Sequence, residues 1–250
     1  FSDQLRDRLL HEARTGARLQ HPSIATFFEA GQVDGQAFIS MELVDGTTLR
    51  DRLRQGPLPL EQALSQTACL LDGLGHAHAV GILHRDIKPE NIMLVGDQSI
   101  KLLDFGLAKE IAQPQPLNDR TITMLTGQGT IVGTIGYMSP EQLRGEKLDE
   151  RSDLFSVGAV LYESISGKPA FSGKTPTERI ANILAKEPEP LSGIETQSQI
   201  NTVLQKALAK DRLQRYSTVG QFMADLNLYA SGELRSTLPN SLVVMDFDNI

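Results

Sequence analysis

The stretch His84-Arg85-Asp86-Ile87-Lys88-Pro89-Glu90-Asn91 decides how the rest of this 250-residue sequence is interpreted. A carboxylate such as Asp86 can orient an attacking hydroxyl group and take its proton. An amide oxygen on the same loop, at Asn91, can help to hold a metal ion. A solvated turn beside a buried histidine would explain the same residues, and an Asp and an Asn alone would favour that simpler interpretation.

A second acidic motif, Asp104-Phe105-Gly106, follows that stretch. It stands at the end of the run 100–105, which together with 91–95 predicts two short strands joined by a turn. A carboxylate in this position can bind Mg²⁺, which prefers oxygen ligands. The tripeptide alone is weak evidence, but its order, its spacing and its place after a strand pair make the combination specific.

The remaining pattern predicts a chain with few strands and many helices. Apolar residues at helical spacing predict a helix over 2–19 and a long helix over 60–80. Two short runs at 24–29 and 37–44, separated by the turn-forming residues 31–35, predict an antiparallel hairpin. Further helices are predicted after the second acidic motif, at 140–143, 152–166, 177–185, 200–209 and 218–229.

These motifs resemble those of eukaryotic-type Ser/Thr protein kinases, most closely the bacterial branch, over residues 2–230. The first stretch fits the catalytic-loop pattern and the second fits the D-F-G motif. The resemblance implies an α+β, two-lobed fold with a complete, mainly helical C-lobe and a partial N-lobe made of the regulatory helix and the last two strands. We expect the partial N-lobe and hinge at 1–45, the C-lobe at 46–230, and a linker at 231–250. The last residues of that linker could open a further domain or form a tail.

The resemblance also implies which residues act in catalysis. Asp86, Lys88, Asn91 and Asp104 match the catalytic set, and Asn91 and Asp104 match its metal ligands. ATP contacts come from the regulatory helix, the hinge and the floor of the adenine pocket, at Glu12, Met41, Glu42, Val44 and Met93. Ordinary core packing explains the two methionines equally well.

Other matched positions have structural roles in the family. Asp153 matches an aspartate on a buried helix that braces the catalytic-loop backbone. Glu141 and Arg215 match a buried ion pair, in which the loss of one partner is costly. Ser139 and Phe155 depart mildly from the family's usual Ala and Trp. The remaining matched residues belong to the two motifs themselves, at His84, Phe105 and Gly106.

The polar segment 109–134 has no helical or strand period, and a loop of that length is usually functional. Arg85 can pair with a phosphate, so the resemblance implies control by phosphorylation within this segment. Four threonines are candidate acceptors, at Thr121, Thr123, Thr126 and Thr130, of which the last two lie nearest the family's usual place. Thr134, together with Lys88, matches the Ser/Thr type of the family.

Two family features are missing. No glycine precedes Glu12, and the first lysine is Lys88, so the Gly-rich loop and the ATP-anchoring lysine are absent from the sequence. Either the sequence is an N-terminally truncated piece, or it is a degenerate kinase. Because the catalytic half is intact, we expect truncation, and we expect the chain alone to have negligible activity.

Composition excludes several other classes of protein. The net charge of −7 and the pI near 5.3 argue against binding to nucleic acid or to an anionic membrane. Cys69 is the only cysteine, which excludes an internal disulfide and suits a reducing compartment. No apolar run reaches the roughly 18 residues of a membrane span. We therefore expect a cytoplasmic domain whose partners are protein substrates and, for autophosphorylation, other copies of itself.

The leading hypothesis is an enzyme that uses ATP and Mg²⁺ to phosphorylate Ser or Thr hydroxyls of proteins. One alternative is a pseudokinase that serves as a scaffold or binding module. Another is a small-molecule kinase of the aminoglycoside or choline type. Such enzymes usually lack the D-F-G motif and a Pro-Glu segment with its partner arginine. The presence of Asp104-Phe105-Gly106, Pro140-Glu141 and Arg215 therefore counts against that class.

Overall fold

The computed structural model describes residues 19–33, 36–96, 99–105, 135–193 and 197–235. The strands are β1 Phe27–Val33, β2 Gln36–Met41, β3 Thr47–Thr48, β4 Ile92–Val95 and β5 Ser99–Leu102. The helices are α1 Leu49–Leu53, α2 Leu60–Ala79, α3 Pro140–Arg144, α4 Glu150–Ser166, α5 Pro176–Ala185, α6 Gln197–Ala207 and α7 Val219–Arg235. The helix predicted over 2–19 and the polar segment 109–134 lie outside the described residues, apart from Leu19.

β1 and β2 form the antiparallel hairpin that the sequence predicts, but β1 lies further along the chain than expected. It continues through Gly31 to Val33, whereas the sequence predicted Gly31 in the turn. Gly31 pairs with Phe38, and a Cβ on this glycine would lie 2.7 Å from the Phe38 ring. The glycine therefore makes room for the ring inside the sheet instead of ending the strand.

A second, three-stranded sheet has the order β3-β4-β5 and is antiparallel throughout. Its short first strand, β3, was not predicted. Next to it, Ile24 forms an isolated parallel bridge with Leu102 and so joins the start of the hairpin segment to β5. Asn91 directly precedes β4 and Asp104 closely follows β5. Because these two strands are antiparallel neighbours, Asn91 and Asp104 lie at the same end of the sheet.

α4 is the central helix of the core. All of its residues from Ser152 to Ser164 are buried, and it packs against α2 and α6. At Gly158 a Cβ would lie only 2.8 Å from the Cβ of Ala207, so a glycine is needed for α6 to approach this closely. The helix buried in this way can serve as a rigid support for the residues packed against it.

The ends of α3 and α4 follow from their sequences. Ser139 and Gln142 form a reciprocal capping box at the start of α3, and Asp149 caps the start of α4. Gly145 and Gly167 end these helices at φ values of 66° and 69°, a conformation that glycine adopts without strain. No helix in the described ranges is both long enough and apolar enough to cross a bilayer.

Candidate active site

Asp86, Lys88 and Asn91 form a compact cluster. The Lys88 Nζ donates to Asp86 Oδ2 over 2.8 Å. The Asn91 Nδ2 donates to the Asp86 carbonyl oxygen over 2.9 Å and to Oδ2 over 3.2 Å. A 3₁₀ turn, Pro89–Asn91, holds the amide at this distance. The carboxylate is thus fixed from two sides, and the Asn91 Nδ2 is occupied by its contacts with Asp86.

The second acidic motif is tied to the first through the end of β5. The Leu103 N–H donates to the Asn91 carbonyl oxygen over 2.8 Å. The next residue, Asp104, has a positive φ of 49° and an exposed side chain. Positive φ is uncommon outside glycine and often marks a functional position. Phe105 turns inward, with its ring centroid 4.8 Å from that of His84.

His84 is fully buried and neutral. The Asp86 N–H donates to its Nδ1 over 3.2 Å, so Nδ1 carries no proton. Its Nε2 lies 2.9 Å from the Leu103 carbonyl oxygen, which can only accept, so Nε2 carries the hydrogen. Burial is the main cause that lowers the pKa of His84, in agreement with this neutral form. The imidazole therefore bridges the catalytic loop and β5.

The backbone of the loop is held by Asp153 of α4. Its carboxylate accepts from the N–H groups of His84 and Arg85, each over 2.8 Å. The His78 Nε2 of α2 lies 2.8 Å from the same carboxylate. Arg85 has a positive φ of 65°, and its carbonyl oxygen accepts from Gln142 Nε2 over 2.8 Å. Side chains from three helices thus support a backbone conformation that is unfavourable by itself.

Glu141 and Arg215 form a buried, bidentate ion pair with N–O distances of 2.7 and 2.9 Å. Burial alone would raise the pKa of Glu141, but hydrogen bonds from Arg215 and Ser152 hold it below its ordinary value. Arg215 also donates to the Ala209 carbonyl oxygen over 2.6 Å. The pair therefore fixes α3, next to the loop, to the segment that follows α6.

The expected adenine-binding positions lie at the end of β2, just after it, and on β4. Met41, Val44 and Met93 are all half-buried. The Glu42 N–H donates to the Thr26 carbonyl oxygen over 2.8 Å, so of its backbone groups only the carbonyl oxygen remains for a ligand. The Glu42 carboxylate accepts from Lys101 of β5 over 2.8 Å, and this contact is the main cause that lowers the pKa of Glu42.

Several predicted residues cannot be placed. Glu12, Gly106, Thr126, Thr130 and Thr134 lie outside the described residues. The same holds for the other two candidate phosphorylation sites, Thr121 and Thr123. The roles that the sequence suggests for all of them stay predictions.

A charged network beside the catalytic loop was not predicted from the sequence. Arg50 of α1 bonds to Glu90 Oε1 and to Glu163 Oε1, each over 2.8 Å. The Tyr137 hydroxyl bonds both to Arg50 and to the Glu163 carboxylate. Burial, together with Glu163, raises the pKa of Tyr137 well above its ordinary range. Glu163 could have been a signal, because a carboxylate in an otherwise apolar helical run needs a partner.

Comparison with known proteins identifies the family. Residues 2–225 match the protein kinase domain family, and the chain belongs to it. The predicted α+β kinase fold with a mainly helical C-lobe is therefore confirmed. As a family, protein kinases use ATP and Mg²⁺.

The similar curated proteins are bacterial. "Serine/threonine-protein kinase PknB" of Mycobacterium leprae is 39% identical over 235 residues, which cover 90% of this chain and 36% of the relative. The protein of the same name from Mycobacterium tuberculosis is 36% identical over 233 residues, with the same coverage. "Probable serine/threonine-protein kinase SCO3848" of Streptomyces coelicolor is 36% identical over 233 residues, covering 90% of this chain and 34% of the relative. The chain thus spans 34–36% of the length of these relatives.

Proposed function

We propose that this chain is a protein serine/threonine kinase domain that transfers the γ-phosphate of ATP to Ser or Thr hydroxyls of proteins. The observation that carries the proposal is the position of the Asp86 carboxylate. Lys88 and Asn91 both donate hydrogen bonds to this carboxylate. The backbone of the loop is in turn fixed by Asp153, which accepts from two of its N–H groups. Phosphoryl transfer depends mainly on positioning and charge stabilisation, and a fixed carboxylate supplies the first of these.

In this mechanism Asp86 orients the hydroxyl group of the substrate and accepts its proton. The Lys88 Nζ lies 2.8 Å from that carboxylate, where it can also stabilise the negative charge of the transferred phosphoryl group. Asn91 prevents the carboxylate from turning away, because its Nδ2 contacts both the side chain and the backbone of Asp86. His84 and Asp153 act indirectly, because they fix the backbone of the loop that carries Asp86.

The residues present fit a magnesium ion. The Asn91 Nδ2 is used by Asp86, which leaves Oδ1 as a ligand atom, and Asp104 offers an exposed carboxylate. In the described part of the chain no three His, Cys, Asp or Glu side chains cluster as a metal site. Mg²⁺ binds through one or two protein oxygens together with substrate phosphates, so Asn91 Oδ1 and an Asp104 carboxylate oxygen would suffice as its protein ligands. Bound Mg²⁺ and ATP would supply the phosphoryl group and neutralise its charge.

The remaining sequence predictions extend this proposal. Met41, the backbone groups of Glu42 and Val44, and Met93 would contact adenine, and Glu12 would belong to the ATP site. Thr126 or Thr130, once phosphorylated by another copy of the chain, would pair with Arg85. The acidic composition and the single cysteine support a cytoplasmic location. The boundary at 45 would separate the hinge from the C-lobe, whereas the expected boundary at 230 falls inside α7, which runs to Arg235.

The test is phosphate transfer by the full-length protein that contains this chain. With radiolabelled ATP and casein as acceptor, we expect Asp86→Ala and Asp104→Asn to lower the rate by about 10²–10⁴-fold. Asp72→Asn removes a comparable charge from an exposed side chain on α2 and should leave the rate unchanged. Phosphate on Ser and Thr that persists at the normal rate in both active-site variants would exclude the proposed mechanism. No transfer by any form would favour the scaffold alternative.

A further inference from the structure

The segment 187–190, between α5 and α6, has the sequence Glu-Pro-Glu-Pro. Each proline fixes its own φ and lacks an N–H, so the segment is stiff and cannot continue α5. The Tyr162 hydroxyl of α4 donates to the Glu189 carbonyl oxygen over 2.9 Å. The Asn201 side chain of α6 bonds to both the N–H and the carbonyl oxygen of Leu191, over 2.9 and 3.1 Å. The segment is thus held at two points against the core helices.

A cavity of about 240 Å³ lies between this segment and the two helices. Tyr162, Leu204 and the two prolines, Pro188 and Pro190, give it largely apolar walls. The volume is below the roughly 300–1,000 Å³ of typical small-molecule sites. It exceeds the ~150 Å³ that suffices for a benzene ring. The cavity therefore suits one large side chain of a protein and is too small for a nucleotide.

The cavity is negatively charged at its edge. Glu187 and Glu189 line it with exposed side chains, and no basic residue lines it. Within the described ranges neither glutamate forms a salt bridge, although Glu187 interacts electrostatically with the buried Lys210. Lys206 pairs with Asp225 over 3.0 Å. The Lys210 ammonium is buried, 3.8 Å from the centre of the Phe171 ring.

We propose that this cavity, bounded by 187–190, Tyr162 and Leu204, is a docking site for an arginine side chain of a protein substrate. The aliphatic part of arginine packs against apolar walls while its guanidinium group stays near water and carboxylates. The planar guanidinium group can also bond to carboxylates through several N–H groups at once. A lone apolar side chain would make no use of the two exposed carboxylates at the edge of the cavity.

The site lies apart from the phosphotransfer centre. Asp153, which supports the catalytic loop, and Tyr162 are both on α4, nine residues apart in the sequence. At 1.5 Å per residue this corresponds to about 13 Å along the helix axis. A substrate would therefore use a docking segment distinct from its acceptor Ser or Thr. Such a second contact raises the effective concentration of the acceptor, so it lowers KM and leaves kcat unchanged.

The first test is direct binding to the full-length protein. The probe is a fluorescein-labelled peptide with one arginine flanked by alanines, compared by anisotropy with the same peptide carrying neutral citrulline. We expect the citrulline peptide, and also the Glu187→Gln/Glu189→Gln variant, to show about tenfold weaker binding, equivalent to ~1.4 kcal/mol. The variant Glu61→Gln/Glu146→Gln removes two exposed charges elsewhere and should bind like the wild type. Equal binding of both peptides, or an equal loss in the control variant, would overturn the proposal.

The second test separates docking from the proposed kinase activity, on which the role of the docking site rests. One substrate joins an acceptor peptide through a flexible linker to the arginine segment, and the other is the acceptor peptide alone. We expect the Glu187→Gln/Glu189→Gln variant to raise KM about tenfold for the joined substrate only. An unchanged KM would refute docking, whereas failure to phosphorylate either substrate would refute the kinase proposal and leave the binding result standing.

Discussion

The catalytic loop at 84–91 and the β1–β2 hairpin differ in what holds their backbones in place. In the loop, the two N–H groups next to Asp86 donate to the buried carboxylate of Asp153, and a neutral imidazole connects the loop to β5. The hairpin is a two-stranded sheet within the described residues. Its Phe28 and Val33 side chains are each 61% exposed.

Burial explains the difference. Hydrogen bonds that are shielded from water and that satisfy buried groups are costly to break. A two-stranded hairpin by itself is only marginally stable in water. The hairpin is joined to the larger body through backbone hydrogen bonds of 23–25 with Leu102 and through the Lys101–Glu42 pair. We infer that the site combines a rigid support for the proton acceptor with a more easily opened hinge side.

The largest effect on stability should follow from Asp153→Ala. This change leaves the N–H groups of His84 and Arg85 buried without an acceptor, which should lower the free energy of unfolding by about 3 kcal/mol or more. Because a small displacement of a catalytic group is costly, kcat/KM of the full-length protein should fall by about 10²-fold. Urea unfolding and phosphate transfer measure the two effects.

Asp153→Asn is the matched control for that change. Asparagine retains one acceptor oxygen of nearly the same shape, so we expect a smaller loss of stability than for the alanine variant. If both variants unfolded like the wild type, the loop would not depend on Asp153 for its conformation.

The smallest effect should follow from Lys101→Met on the hinge side. The two side chains of the Lys101–Glu42 pair are 22% and 27% exposed, and such partly solvated pairs contribute about 0.2–1 kcal/mol. The pKa of Glu42 is lowered, so the stabilisation is present at neutral pH and is lost as the pH falls through the folded-state pKa. Urea unfolding measured from pH 7 downwards should therefore show a difference between wild type and variant that is largest at pH 7 and shrinks as the pH falls. A difference that is unchanged at low pH would mean that this charge pair is not its source.

The sequence predicts much of the fold because local patterns and buried contacts agree. Strands β4 and β5, the long helix α2 and the central helix α4 lie close to their predicted ranges. The contacts of Asp153 and of Glu141 with Arg215 match what the family resemblance implies. Gly31 was misplaced because only its partner across the hairpin shows that it makes room for an aromatic ring.

The Arg50 network and the cavity beside 187–190 were not predicted, and for a common reason. Arg50 meets Glu163 across a separation of 113 residues, and no local period indicates which distant side chains will meet. In the same way, the glutamates and prolines at 187–190 are typical of an exposed loop. Only the fold places Tyr162 and Leu204 beneath them.

Amide hydrogen exchange, followed residue by residue in this chain under native conditions, compares the stability of the loop and of the hairpin directly. We predict that the N–H groups of His84 and Arg85 exchange at least about tenfold more slowly than those of the β1–β2 pairs, a difference of ~1.4 kcal/mol in opening free energy. Equal protection in the two regions, or faster exchange at His84 and Arg85, would contradict it.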